Sequence, residues 1–81
     1  MIKTINGPKG LRIELDSSEI FPDDPGQGTP AIVYYEGYYA SFDCALNSGE
    51  LDCGSYILTA NQMKWLEDKI DNVNEFLEKN Q

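Results

Sequence analysis

Ala31-Ile32-Val33-Tyr34-Tyr35-Glu36-Gly37-Tyr38-Tyr39-Ala40-Ser41-Phe42-Asp43-Cys44-Ala45-Leu46-Asn47-Ser48-Gly49-Glu50-Leu51-Asp52-Cys53-Gly54-Ser55-Tyr56-Ile57-Leu58 is the stretch whose reading decides the fold. Ala31 to Tyr35 is apolar, β-branched or aromatic, the composition of a strand. Glu36-Gly37 interrupts it, Tyr38 to Leu46 resumes, Asn47 to Glu50 interrupts again, and Leu51 to Leu58 is the last strand candidate. Two turns between three strands make an antiparallel meander.

Parity sets the expected register. Phe42, Cys44 and Leu46 share one strand face, and Leu51, Cys53 and Ile57 share one face of the next. A two-residue Ser48-Gly49 turn pairs Leu46 with Leu51 and Cys44 with Cys53. That keeps the apolar residues on one side, as a half-buried sheet requires. A four-residue loop keeps the parity and sets the cysteines diagonally. Directly opposed Cα atoms would lie about 4.5 Å apart, at the close end of disulfide geometry. In a reducing compartment packed thiols rank first and a cross-strand disulfide second. A thiol-redox enzyme ranks far behind, because no C-x-x-C is present.

The same parity carried back through Glu36-Gly37 buries Ala31, Val33 and Tyr35 with Tyr38, Ala40 and Phe42. The opposite face then holds Ile32, Tyr34, Tyr39, Ser41, Asp43, Asp52, Tyr56 and Leu58. Tyrosines beside carboxylates are poor core and good contact surface. The alternative is that the N-terminal strand or a loop covers them.

Outward from this stretch, Leu11, Ile13 and Leu15 alternate with Arg12, Glu14 and Asp16, a half-buried strand over 10–16. Residues 17–30 are rich in Pro, Gly, Asp and Ser, so a long surface loop is expected, pinned by Ile20 and Phe21. After the meander, Thr59 and Gln62 fit a capping box that opens a helix over 60–79. Met63, Leu66, Ile70, Val73 and Leu77 form its apolar stripe, aimed at Val33, Phe42, Cys44, Leu46, Leu51, Cys53 and Ile57. Trp65 and Phe76 lie off the stripe centre. Either the stripe widens to take them in, or they form an exposed aromatic patch. Glu67, Asp71, Glu75 and Glu78 line the far side, with mildly repulsive i,i+4 pairs. The expectation is one α+β domain over 1–81: an antiparallel sheet of about four strands, the N-terminal strand plus the meander, with one C-terminal helix on one face.

The chain has 81 residues, 6 Lys+Arg, 14 Asp+Glu, no histidine and a net charge of −8. A domain of this size buries roughly 60–65% of its unfolded surface, leaving no spare layer for a large cofactor. Without histidine, hydrolase triads and Cys-His pairs are excluded. Two cysteines do not make a structural zinc site. No Walker loop, dinucleotide fingerprint or metal-ligand spacing occurs, and Gly26-Gln27-Gly28 is too short for a phosphate loop. No catalytic residue, cofactor or metal is therefore expected, and the protein is read as not an enzyme. The first residues lack the apolar core of a signal peptide and no run is long enough to cross a membrane, so a cytoplasmic protein is expected.

The charge is unevenly spread. Lys3, Lys9 and Arg12 make the first 12 residues basic. From Ile13 to Met63 there is no Lys or Arg, while Glu14, Asp16, Glu19, Asp23, Asp24, Glu36, Asp43, Glu50 and Asp52 fall in that stretch. Solubility alone accounts for such an excess. The sharper reading is a surface that attracts a protein with a basic, nucleic-acid-binding groove, while direct nucleic-acid binding is disfavoured. The expected contact residues are Tyr34, Tyr39, Asp43, Asp52, Tyr56, Glu36 and Glu50, with Trp65, Glu67, Asp71 and Glu75 as secondary candidates.

Phage anti-defence proteins, anti-CRISPR proteins among them, are often of this size and acidity. The likeness is one of type, including possible DNA mimicry, and no residue is carried over from it. The leading expectation is thus a small acidic inhibitor, acting in the host cytoplasm if phage-encoded. An immunity or antitoxin protein that neutralises a basic toxin is the first alternative. A structural or assembly subunit forming a homodimer is the second.

Overall fold

Leu11, Ile13 and Leu15 are fully buried, and the alternation they set runs through the whole sheet. The computed structural model describes residues 1–21, 23–24 and 27–80. Pro22, Pro25 and Gly26, which belong to the expected loop, and Gln81 lie outside the described residues. The fold is α+β: a four-strand antiparallel sheet in the order β1-β2-β3-β4, with helices packed against it. The strands are β1 (Ile2–Asn6), β2 (Arg12–Asp16), β3 (Ala31–Tyr35) and β4 (Tyr38–Ser41). Ile13 faces Val33 and Val33 faces Ala40, so one side of the sheet is apolar as parity requires. Glu36 and Gly37 both take positive φ in the tight turn between β3 and β4, the backbone that matches strand twist in a two-residue hairpin.

β1 carries no alternating signal in the sequence. Only its Ile5 is half-buried, packed against the core from a position opposite Ile13. Gly7 opens the β1–β2 turn, and a Cβ there would stand 2.6 Å from the Trp65 ring. The missing side chain thus admits the indole over the turn.

The second meander strand, expected to run to Leu46, ends at Ser41, and the expected third, Leu51 to Leu58, is only a part of a short hairpin. Residues Phe42–Ser48 are a helix, α1. Phe42 and Leu46 satisfy both a strand face and a helical i,i+4 pair, so they do not discriminate. The discriminating residues are Ala45, fully buried, and Cys44, exposed. Local chemistry favours the helix at both ends. Ser41 Oγ accepts from the Cys44 N–H at 3.2 Å, and Gly49 ends the helix with φ of 70°. A short hairpin follows, β5 (Glu50–Leu51) with β6 (Tyr56–Ile57), pairing Leu51 with Tyr56. Cys44 and Cys53 are therefore not cross-strand neighbours. Both are free, exposed thiols, one on α1 and the other in the Asp52–Gly54 turn. Ile57 is exposed as well, so three residues expected under the helix lie outside the core, while Leu58, expected outside, is buried.

The capping box forms as expected, with Thr59 Oγ1 accepting from the Gln62 N–H and Gln62 Oε1 accepting from the Thr59 N–H. The expected single helix is two, α2 (Ala60–Asp68) and α3 (Ile70–Lys79). Lys69 leaves the helical region (φ −97°, ψ 1°), and its N–H bonds the Leu66 carbonyl at 3.0 Å. The break turns Leu66, Val73 and Phe76 into one core with the sheet and leaves Leu77 half-buried. It also places Glu67 and Asp71 on different helices, so they are not the i,i+4 pair of a continuous helix. The stripe does widen: Phe76 is buried and Trp65 half-buried. In the long connection, Ile20 packs against the core as expected, but Phe21 is exposed and lies over Gly28.

The helical assignment of α1 makes an asymmetric prediction. Cys44→Asp, at an exposed first-turn position, should change stability by no more than about 0.5 kcal/mol. Ala45→Asp should cost about 3–5 kcal/mol, since it buries an uncompensated charge. Urea unfolding of both variants checks this, and the reverse order would restore the strand.

Candidate functional site

The residues on the sheet's second face follow from the register. Thr4, Glu14, Ile32 and Ser41 form one row, and Asn6, Arg12, Tyr34 and Tyr39 form the next. Tyr34 and Tyr39 stand together with ring centroids 5.8 Å apart. The Arg12 guanidinium covers Tyr34 at 4.6 Å and pairs with Glu14 at 3.1 Å. Tyr34 is half-buried by these contacts, whereas Tyr39 remains 57% exposed.

Beside the β4 edge, Tyr39 and Ser41 form one wall of a hollow of about 560 Å³. Cys44, Asn47 and Ser48 of α1 form another wall, and Glu50, Asp52 and Cys53 complete the rim. Tyr39, Glu50 and Asp52, three of the expected contact residues, thus converge on one concavity. Three helical residues join them that strand parity had no means to place there. The signal that could have found them is the Asn47-Ser48-Gly49 helix ending. Asp52 and Cys53 adopt φ of 52° and 54°, and Gly54 follows at 92°. This left-handed run turns the chain back toward β6 and leaves both side chains exposed. The Glu50 carboxylate lies over Gly54, 3.4 Å from where a Cβ would be.

The other expected residues are elsewhere. Asp43 occupies the first turn of α1, where a carboxylate suits the helix dipole, and it lines a separate groove between α1 and α3. Glu36 is exposed at the β3–β4 turn. Tyr56, expected on the open face, is packed against Tyr35 (4.9 Å) and Tyr38 (5.6 Å), both inward residues. Its hydroxyl donates to Gln62 Oε1 at 3.0 Å. Gln62 therefore serves the helix cap and the tyrosine cluster at once. Burial, together with Glu36 and Tyr56, holds the Tyr35 phenol above its ordinary value.

Among the secondary candidates, Trp65 is occupied by Gly7, with the Lys69 ammonium 5.8 Å from its ring. Glu67 and Asp71 are exposed on α2 and α3. Glu75 accepts from Lys79 at 2.6 Å, which lowers the carboxyl and raises the ammonium. This exposed pair contributes little to stability. Arg12–Glu14 and Glu75–Lys79 are the two ion pairs among the described residues, so the cation-free stretch from Ile13 to Met63 keeps its acids unpaired apart from Glu14. Asp16 is held below the ordinary carboxylate range by the Ser18 hydroxyl and N–H, which both donate to Oδ1.

No group of three or more Cys, Asp or Glu among the described residues is placed to hold a metal ion. No described helix is long and apolar enough to cross a membrane. No protein-family model matches the chain, and neither do curated proteins or solved structures.

The tyrosine cluster makes a pH prediction. A phenol raised in the folded state favours the protonated form, so its contribution is complete below the unfolded value of about 10 and is lost as pH rises through the folded one. Phenolate absorbance should show a late step from Tyr35, in step with falling thermal stability. Tyr35→Phe should remove that late step. A late step that survives Tyr35→Phe, or its absence in the parent protein, would contradict the cluster.

Proposed function

We propose that this chain is a non-enzymatic protein-binding inhibitor that presents Tyr39, Glu50 and Asp52 to a basic, nucleic-acid-binding surface of its target. One observation carries the reading: an exposed tyrosine, paired with Tyr34, stands at the lip of a hollow whose rim holds two carboxylates that have no ion-pair partner among the described residues. A basic side chain of the target enters the hollow, meeting a tyrosine face and two carboxylates. Ser41, Asn47 and Ser48 add short polar side chains at its wall. Tyr34 extends the contact onto the sheet. Acids elsewhere on the surface steer the encounter without having to touch the partner.

The test removes the rim charges while keeping shape. Glu50→Gln with Asp52→Asn is suited to this, since Asn tolerates the left-handed backbone at Asp52. Against a target captured from nuclease-treated lysate, this double variant should weaken binding by about tenfold or more and flatten its salt dependence. Tyr39→Ala should cost a similar factor, with the melting temperature little changed. Glu67→Gln with Asp71→Asn should leave affinity within about twofold, being remote exposed charges. Unchanged affinity in the rim variant would remove the site from consideration. Duplex DNA should compete for the target, and failure to compete would contradict a nucleic-acid-binding groove.

A further inference from the structure

Independently of that hollow, we infer that β1 is a pairing edge for a second copy of this chain, joining two four-strand sheets antiparallel across a two-fold axis at Thr4. β1 is hydrogen-bonded to β2 alone, so its other edge is open among the described residues. The orientation of its backbone follows from its ends. The Met1 carbonyl accepts from Ser17 N–H at 3.0 Å, and the Gly7 N–H donates to the Leu11 carbonyl at 2.7 Å. Odd-numbered residues therefore face β2. Ile2, Thr4 and Asn6 turn their N–H and C=O groups outward, a ready row of donors and acceptors.

Natural edges are usually blunted by proline, a bulge or several charges. β1 has no proline, runs in unbroken register with β2, and carries Lys3 as its one charged side chain. Both of its ends are also tied down by hydrogen bonds. The amino terminus donates to Ser17 Oγ at 3.0 Å, which fixes the start of the strand as the Gly7 bond fixes its end. Ile2 is 64% exposed and Met1 73%, two of the five exposed large hydrophobic residues among the described residues.

The occupant is chosen by register and charge. With the axis at Thr4, Thr4 pairs with Thr4 and Ile2 with Asn6, so every outward group finds a partner. Lys3 falls opposite Ile5, and no like charges are directly opposed. Two chains of charge −8 repel over most of their surface, but the first 12 residues hold three cations and no acid. β1 itself holds no carboxylate, whereas Glu50 and Asp52 stand beside the β4 edge. Pairing of five-residue strands buries less than about 1,200 Å², the range of weak, reversible association.

Sedimentation equilibrium of the full chain, up to roughly 1 mM, should show a weak dimer. Thr4→Pro deletes an outward N–H and spares the bonds to β2. It should weaken association by about tenfold or more. In a Cys44→Ser, Cys53→Ser background, Thr4→Cys should cross-link under oxidised glutathione, because the axis brings the two copies within disulfide reach. Asn6→Cys alone, facing Ile2, should not. A monomer at the highest concentration, a dimer unaffected by Thr4→Pro, or equal cross-linking of the two cysteine variants would each overturn the inference. A dimer that survives Thr4→Pro would place self-association on another surface, such as the tyrosine face. The cross-linking pair decides the matter should Thr4→Pro fail to fold.

Discussion

One constraint governs the molecule: a single four-strand sheet has two faces, and the chain has helices enough to cover one. Ile13, Leu15, Ala31 and Val33 commit one face to the core, closed by Phe42, Ala45, Leu66, Val73 and Phe76. Hydrophobic burial on that side stabilises the fold, at about 25 cal/mol per Å² of apolar surface removed from water. The other face is left with Ile32, Tyr34, Tyr39, Thr4, Glu14 and Arg12, whose aromatic and charged groups satisfy one another only in part. That face is open among the described residues, and it carries Tyr39 to the side of a carboxylate-rimmed hollow.

A second economy appears at Gln62. Its side-chain oxygen accepts from the Thr59 backbone and from the Tyr56 hydroxyl. The bond that starts α2 thereby also fixes Tyr56 against Tyr35 and Tyr38. This couples the small β5–β6 hairpin to the sheet through ring contacts, beside the buried Leu51 and Leu58. Tyr56 is consequently a packing residue, although its type and parity suggested a surface role.

Legibility tracked periodicity. β2, β3 and β4 were readable because Ile13, Leu15, Val33 and Ala40 alternate, and the capping box announced α2. α1 was misread because Phe42 and Leu46 fit both periods; Ala45 and the Ser41 and Gly49 caps outweighed them in the fold. β1 was invisible because an edge strand with one half-buried side chain leaves no pattern. The break at Lys69 has no proline or glycine to signal it. For the site, Tyr34 and Tyr39 were placed correctly by parity. Asp43 was misplaced because it stands on α1, and Tyr56 because its strand pairs with β5 in a separate hairpin instead of extending the sheet. Glu50 and Asp52 reach the hollow by another route, through the return of the chain after α1.

The central claim is that the open sheet face and the adjoining hollow, not the acidic helices, meet the partner. Amide hydrogen exchange of the chain, free and bound to its target, tests this most directly. Slowed exchange at β4 and at residues 50–54, with α2 and α3 unchanged, is the predicted footprint. Protection confined to α2 and α3, with β4 and the 50–54 turn exchanging as in the free protein, would contradict it.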